Sequence, residues 1–164
     1  AERMDYVHRK LGMTKWLRRI GGAVGMGLAW AVAWGPLAVL AGLLVDPDGS
    51  MDEMWVAVGA YPGFLCGVVF YAVLRIAERP RGLDEVPLAR AGRWGAAAGL
   101  LVSVLPFALG DPLVEIPLWL LAALAIGSVT LLSALSAAAS AAWARSAARK
   151  RWAARSAAPP PRSA

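Results

Sequence analysis

Residues able to do chemistry are few in this chain, and they gather outside its apolar stretches. Asp46, Asp48, Asp52 and Glu53 put four carboxylates within eight residues, around a turn at Gly49. Oxygen ligands so grouped could hold a hard divalent cation. The full calcium-loop spacing is missing, and a polar turn explains the cluster equally, so no metal is assigned. Asp111 and Glu115 form a second acidic loop. The single histidine, His8, lies near the N-terminus. The single cysteine, Cys66, cannot form an intramolecular disulfide and reads as a small packing residue. The serines within the apolar runs have no acid or imidazole beside them to activate a hydroxyl. Haem, chlorophyll or a metal at depth would find no histidine to hold it. Proton-coupled transport commonly uses a carboxylate within the membrane, and none is available there. The chemistry therefore points away from an enzyme, and no cofactor is implied.

The elements that carry these residues are apolar. Of 164 residues 59 % are hydrophobic and 17 % charged, and the mean hydropathy is +0.55. Four runs lack Asp, Glu, Lys, Arg and His: 20–45, 54–74, 94–110 and 116–142. A bilayer core of about 30 Å needs roughly 20 apolar residues per helix. Alternation of the strand kind is absent, so helices rather than a barrel must satisfy the backbone. The expected fold is all-α: a polytopic membrane protein with a four-transmembrane-helix bundle spanning 20–142.

Charge orients that bundle. All 17 Lys and Arg residues fall in the N-terminal segment, the loop between the second and third runs, and the tail. The other two loops hold acids only. The positive-inside rule then puts both termini and the middle loop in the cytoplasm of a bacterium, with the chain in its inner membrane. The net charge of +6 is accounted for by topology and by attraction to anionic lipids, and needs no nucleic acid. Arg18, Arg19, Arg149, Lys150 and Arg151 are the expected headgroup contacts.

Residues 1–19 read as a short amphipathic interfacial helix, with Met4, Val7 and Leu11 on one face. A signal peptide fits less well, because the following run is too long. The tail, 143–164, is basic and rich in Ala and Pro, and its first part could continue the fourth helix. Pro159, Pro160 and Pro161 must end any helix. The loop from Glu78 to Arg93 reads as a solvated connector or, more sharply, a docking surface.

Small residues four apart share a helix face and let backbones approach in lipid. Gly21 and Gly25, Gly59, Gly63 and Gly67, and Gly95 and Gly99 follow that spacing, as do Ser133, Ala137 and Ala141 more weakly. Packing within the chain is favoured over dimerisation. Pro36, Pro62 and Pro106 are expected to kink their runs or to loosen the helical ladder locally. Trp16, Trp94, Trp143, Trp55 and Trp119 fall near the run ends, as an interfacial aromatic belt does. Trp30 and Trp34 lie deep and one turn apart, so their indole N–H groups need partners. Ser103, Thr130 and backbone carbonyls are the candidates. Ordinary packing is favoured there over contact with a lipid, pigment or quinone. Arg19-x-Gly21-x-x-x-Gly25 and Arg93-x-Gly95-x-x-x-Gly99 faintly echo each other, as a duplicated hairpin would.

Arg18-Arg19 before a Gly/Trp-rich run, the Asp46-Pro47 turn and the loop opening Ile76-Ala77-Glu78-Arg79-Pro80-Arg81 give the chain its overall character. In these it resembles small four-helix integral membrane proteins of GC-rich bacteria, which have no assigned activity. The resemblance carries no catalytic residue with it. The expected function is a non-catalytic structural or accessory subunit of a larger inner-membrane complex, photosynthetic or respiratory assemblies being natural hosts. Its partners would be other integral membrane subunits, or further copies of itself, together with anionic lipids. The alternative is a small oligomeric channel or transporter.

Overall fold

The computed structural model describes residues 2–45, 52–78, 82–109 and 118–156. They form four helices: α1 (Glu2–Val45), α2 (Asp52–Ala77), α3 (Leu88–Leu109) and α4 (Leu118–Ser156). The acidic loops, the proline run of the tail and the faces of residues 1–15 lie outside the described residues and side chains.

Apolar composition makes these helices long. Among the described residues, three stretches are long and apolar enough to cross a membrane: Trp16–Leu44, Met54–Ala77 and Ala122–Ser156. In α3, where a third run was read over 94–110, Arg90 and Arg93 occupy the first turns. The segment expected as a separate interfacial helix runs into the first span without a break, giving one helix of 44 residues. At the other end α4 carries the first part of the tail, as far as Ser156. Pro36 and Pro62 both lie within continuous helices.

The architecture is two hairpins. α1 packs along α2, and α3 along α4; α2 joins the pairs through α3 and, to a smaller extent, α4. Two faces of α2 do separate work. Gly59, Gly63 and Gly67 lie against α1. Cys66, Phe70 and Leu74, again four apart and continued by Glu78 just past the helix, form a buried stripe, with Phe70 stacked on Trp30 of α1 and Glu78 bonded to Trp94 of α3. On α3 and α4 the buried residues are small: Ala91, Ala98, Ser133, Ala137 and Ala141. The outer surface is apolar, with Val32, Leu44, Leu101, Leu124 and Leu131 among its exposed side chains.

The segment after α2 is not simply a solvated connector. Glu85 N–H donates to the Gly82 carbonyl at 3.1 Å, which turns the chain back. Val86 is thereby fully buried, with Leu83 packed against the core. The Pro87 carbonyl then accepts from Arg90 and Ala91, starting α3. The Arg145 guanidinium of α4 donates to the Val86 carbonyl, tying the turn to the tail of the bundle.

Candidate functional site: a polar seam between two hairpins

The polar groups of the bundle meet where the hairpins meet. Trp30 and Trp34 leave α1 on one face, both 3 % exposed, with ring centroids 6.3 Å apart. Trp30 also stacks on Phe70 of α2 at 5.3 Å. Their indole N–H groups reach α4. Trp34 Nε1 donates to Ser136 Oγ at 2.9 Å, and Trp30 Nε1 to Ser140 Oγ at 3.2 Å. These partners replace the expected Ser103 and Thr130. Ser136 and Ser140 are one turn apart, as the two indoles are, and α1 and α4 run in opposite directions. Two matched pairs result. Ser103 instead donates to its own helix, at the Leu100 carbonyl (3.1 Å), and Thr130 Oγ1 is buried without a partner among the described residues.

A second node closes the seam at the loop end of α2. Glu78 is 7 % exposed. Its Oε1 accepts from Trp94 Nε1 at 3.3 Å and from the Arg90 guanidinium at 3.5 Å. A buried carboxylate persists only when charge and hydrogen bonds replace its water. Trp94, expected in the interfacial belt, is half-buried and serves that purpose. A cavity of about 440 Å³ opens beside the node, lined by Glu78, Arg90, Arg93 and Trp94.

The glycines divide by position. A Cβ added at Gly59 would run into the Trp34 carbonyl, and at Gly67 would come within 2.8 Å of the Met26 carbonyl. At Gly63 it would meet Trp34 Cβ at 3.0 Å. At Gly95 it would reach the Ser133 carbonyl at 2.5 Å, and at Gly99 Ser133 Cβ at 2.7 Å. Gly21 and Gly25 differ: each is exposed, and an added Cβ would touch nothing within 4 Å. In α1 the close approaches fall at Gly22, under Tyr71, at Gly27, under Phe64 and Val68, and at Gly42, under Trp55. The helix turns Gly22 and Gly27 toward α2 and leaves Gly21 and Gly25 outside, a rotation that four-residue spacing alone does not specify.

Reasoning from sequence missed Glu78, Arg145 and the serine pair. For Glu78 a signal existed, since it continues the stripe of Cys66, Phe70 and Leu74. Arg18 and Arg19 lie exposed at the same end of α1 as Arg75 of α2, and all three line one cavity with Tyr71. Arg149, Lys150 and Arg151 are exposed on α4. Among the described residues no group of His, Cys, Asp or Glu could hold a metal ion. Of the acidic loop, residues 46–51 and the side chains of Asp52 and Glu53 lie outside them. Against known proteins, the chain matches no family model, no curated protein and no solved structure.

Proposed function

We propose that this chain is a non-catalytic structural subunit of a larger inner-membrane assembly, crossing the bilayer four times with both termini in the cytoplasm. The observation that carries the reading is how polarity is distributed. Trp30, Trp34, Ser133, Ser136 and Ser140 spend their polar groups between the helices, on one another or on carbonyls. Large apolar side chains meanwhile face outward on every helix. A channel needs polar groups turned to a shared lumen, and these are spent on contacts within and between helices. Outward apolar surface suits lipid and neighbouring membrane subunits alike. The open glycines Gly21 and Gly25, beside exposed Leu28 and Val32, give α1 a face that a further helix can approach closely. The placement of all Lys and Arg supports the orientation.

Purification from native membranes in mild detergent, followed by mass spectrometry, tests the role. Recovery in fixed ratio with other membrane subunits is expected, and Gly21→Leu with Gly25→Leu should lower it. Recovery as a lone monomer or a homo-oligomer overturns the subunit reading. Topology is tested separately with single cysteines. Cys66 is fully buried, so its background labelling is low. Arg81→Cys should label from the cytoplasmic side, and Asp48→Cys and Asp111→Cys from the other.

A further inference from the structure

α4 keeps one face through the bundle and beyond it. Ser133, Ala137 and Ala141, four apart, are fully buried, and Gly95 of α3 lies against Ala137. Arg145 follows one turn later, and its guanidinium donates to the Val86 carbonyl of the turn before α3. Ala148 and Trp152 come next on the same face, at spacings of three and four residues. Burial fades along them. Ala148 is half-buried, and Trp152 is 73 % exposed. Arg149 and Arg155 flank Trp152, three residues to either side, and both are exposed. Trp143 is different. It lies nine residues before Trp152, half a turn round the helix, at the end of the apolar run where a belt residue belongs.

Height sets Trp152 beyond the lipid headgroups. α4 runs unbroken to Ser156. Trp152 is seven residues past Arg145 and Arg155 is ten, about 10 and 15 Å along the axis. The headgroup layer is only about 5–8 Å deep on each side. Charge narrows the choice of partner. No Asp or Glu occurs between Ile116 and Ala164, where Arg145, Arg149, Lys150, Arg151, Arg155 and Arg162 stand. On the proposed cytoplasmic side all 17 Lys and Arg face five acids, Glu2, Asp5, Glu78, Asp84 and Glu85, so that side stays cationic whichever pairs form.

We propose that the cytoplasmic extension of α4 docks an acidic helix of a neighbouring protein subunit, with Trp152 as the anchor. The surface continues the interface that α4 already makes with α3, so a helix seated past the start of α3 would meet the same stripe. Apolar side chains of that helix would cover Ala148 and Trp152, and carboxylates beside them would reach Arg149 and Arg155. Trp and Arg are enriched among the residues that carry an interface's binding energy. Opposite charge guides the encounter and rejects basic partners. The proposal deepens the subunit reading and rests on the cytoplasmic placement, which the cysteine labelling above tests independently.

The full chain in phosphatidylcholine nanodiscs is titrated with fluorescent synthetic peptides, and anisotropy reads binding against empty nanodiscs. A helical peptide of Leu and Glu at heptad spacing should bind more than about tenfold tighter than one of Leu and Lys. It should also bind tighter than polyglutamate, which has the charge but no apolar face. Trp152→Ala should weaken the Leu–Glu peptide on the order of tenfold, and Arg149→Gln with Arg155→Gln comparably. Trp152→Phe should keep most of the binding, and Trp143→Ala all of it. Trp152 stands clear of the core, so thermal unfolding should not shift in Trp152→Ala. Equal binding of polyglutamate, or binding indifferent to Trp152→Ala, overturns the proposal and makes the attraction one of net charge. Loss of the Leu–Glu peptide when phosphatidylglycerol replaces phosphatidylcholine overturns it in favour of headgroups. Binding of polyuridylate in its place overturns it in favour of nucleic acid. No native partner is needed in these titrations, so their failure leaves the co-purification result standing.

Discussion

In the hairpin α1–α2 glycines stand on both helices, and four lie beneath or against aromatic rings: Gly22 under Tyr71, Gly27 under Phe64, Gly42 under Trp55, and Gly63 against Trp34. In α3–α4 the close-packed glycines are on α3 only, and α4 meets them with Ser133, Ala137 and Thr130. There the backbones themselves approach, and Ser133 Oγ donates to the Gly95 carbonyl at 2.7 Å. Both hairpins use the absence of a side chain, but for different ends. The first accommodates large rings, of which Trp34, together with Trp30, projects toward α4. The second brings main chains together and leaves hydroxyls of α4 turned toward the first. Large rings on one hairpin and hydroxyls on the other make the seam between them directional.

This contrast can be broken most sharply at the glycines. Gly95→Leu should cost more than about 3 kcal/mol and separate α3 from α4, since the obstruction is a main-chain carbonyl that cannot swing away. Gly59→Leu, facing the Trp34 carbonyl, should act comparably on α1–α2. Gly27→Ala meets first the side chains of Phe64 and Val68, and should cost less, about 1–2 kcal/mol. Thermal unfolding in detergent measures all three, and equal losses would erase the distinction between main-chain and ring packing.

The Glu78 node should give a smaller effect. Arg90→Ala leaves the carboxylate to Trp94 and its remaining partners, at an expected cost of about 1–2 kcal/mol, moderated because Arg90 is 42 % exposed. Trp94→Phe removes a further donor and should cost about as much. Chemical unfolding of the reconstituted chain gives both values, and no change in either would mean the node is well solvated. The Trp–Ser pairs come next. A double-mutant cycle of Trp34→Phe and Ser136→Ala should show a coupling of about 0.6 kcal/mol, and that of Trp30 with Ser140, the longer bond, less. A coupling of zero for both pairs would reduce the seam to ring packing. The smallest effect belongs to the open glycines. Gly21→Ala and Gly25→Ala should leave the isolated chain unchanged or more stable by up to about 1 kcal/mol each, because nothing is met and helix entropy improves. Loss of stability there would place those residues in a contact within the chain.

Much of this fold was legible because its signals are local. Charge-free runs mark where helices can sit in an apolar medium, and α1, α2 and α4 contain them. Gly59, Gly63, Gly67, Gly95 and Gly99 showed their purpose in their spacing. The seam was less legible. Ser136 and Ser140 sit among alanines and read as a fading helix end, and nothing local pairs them with residues more than a hundred positions away. Glu78 looked like loop charge because the helix boundary hid that it completes a buried stripe. The faces of Gly21 and Gly25 were misjudged for a related reason. Spacing establishes that two residues share a face, but the neighbour that face meets depends on how the helix is rotated.

The sequence by itself determined that the chain is helical, apolar and asymmetric in charge, since each property follows from residue type along a short stretch. Only the tertiary structure decided which glycine meets which ring, which serine receives which indole, and that a carboxylate near a helix end is buried. Those outcomes depend on the rotation and register of one helix against another. They are chosen by summed packing across the whole interface, which no single segment encodes.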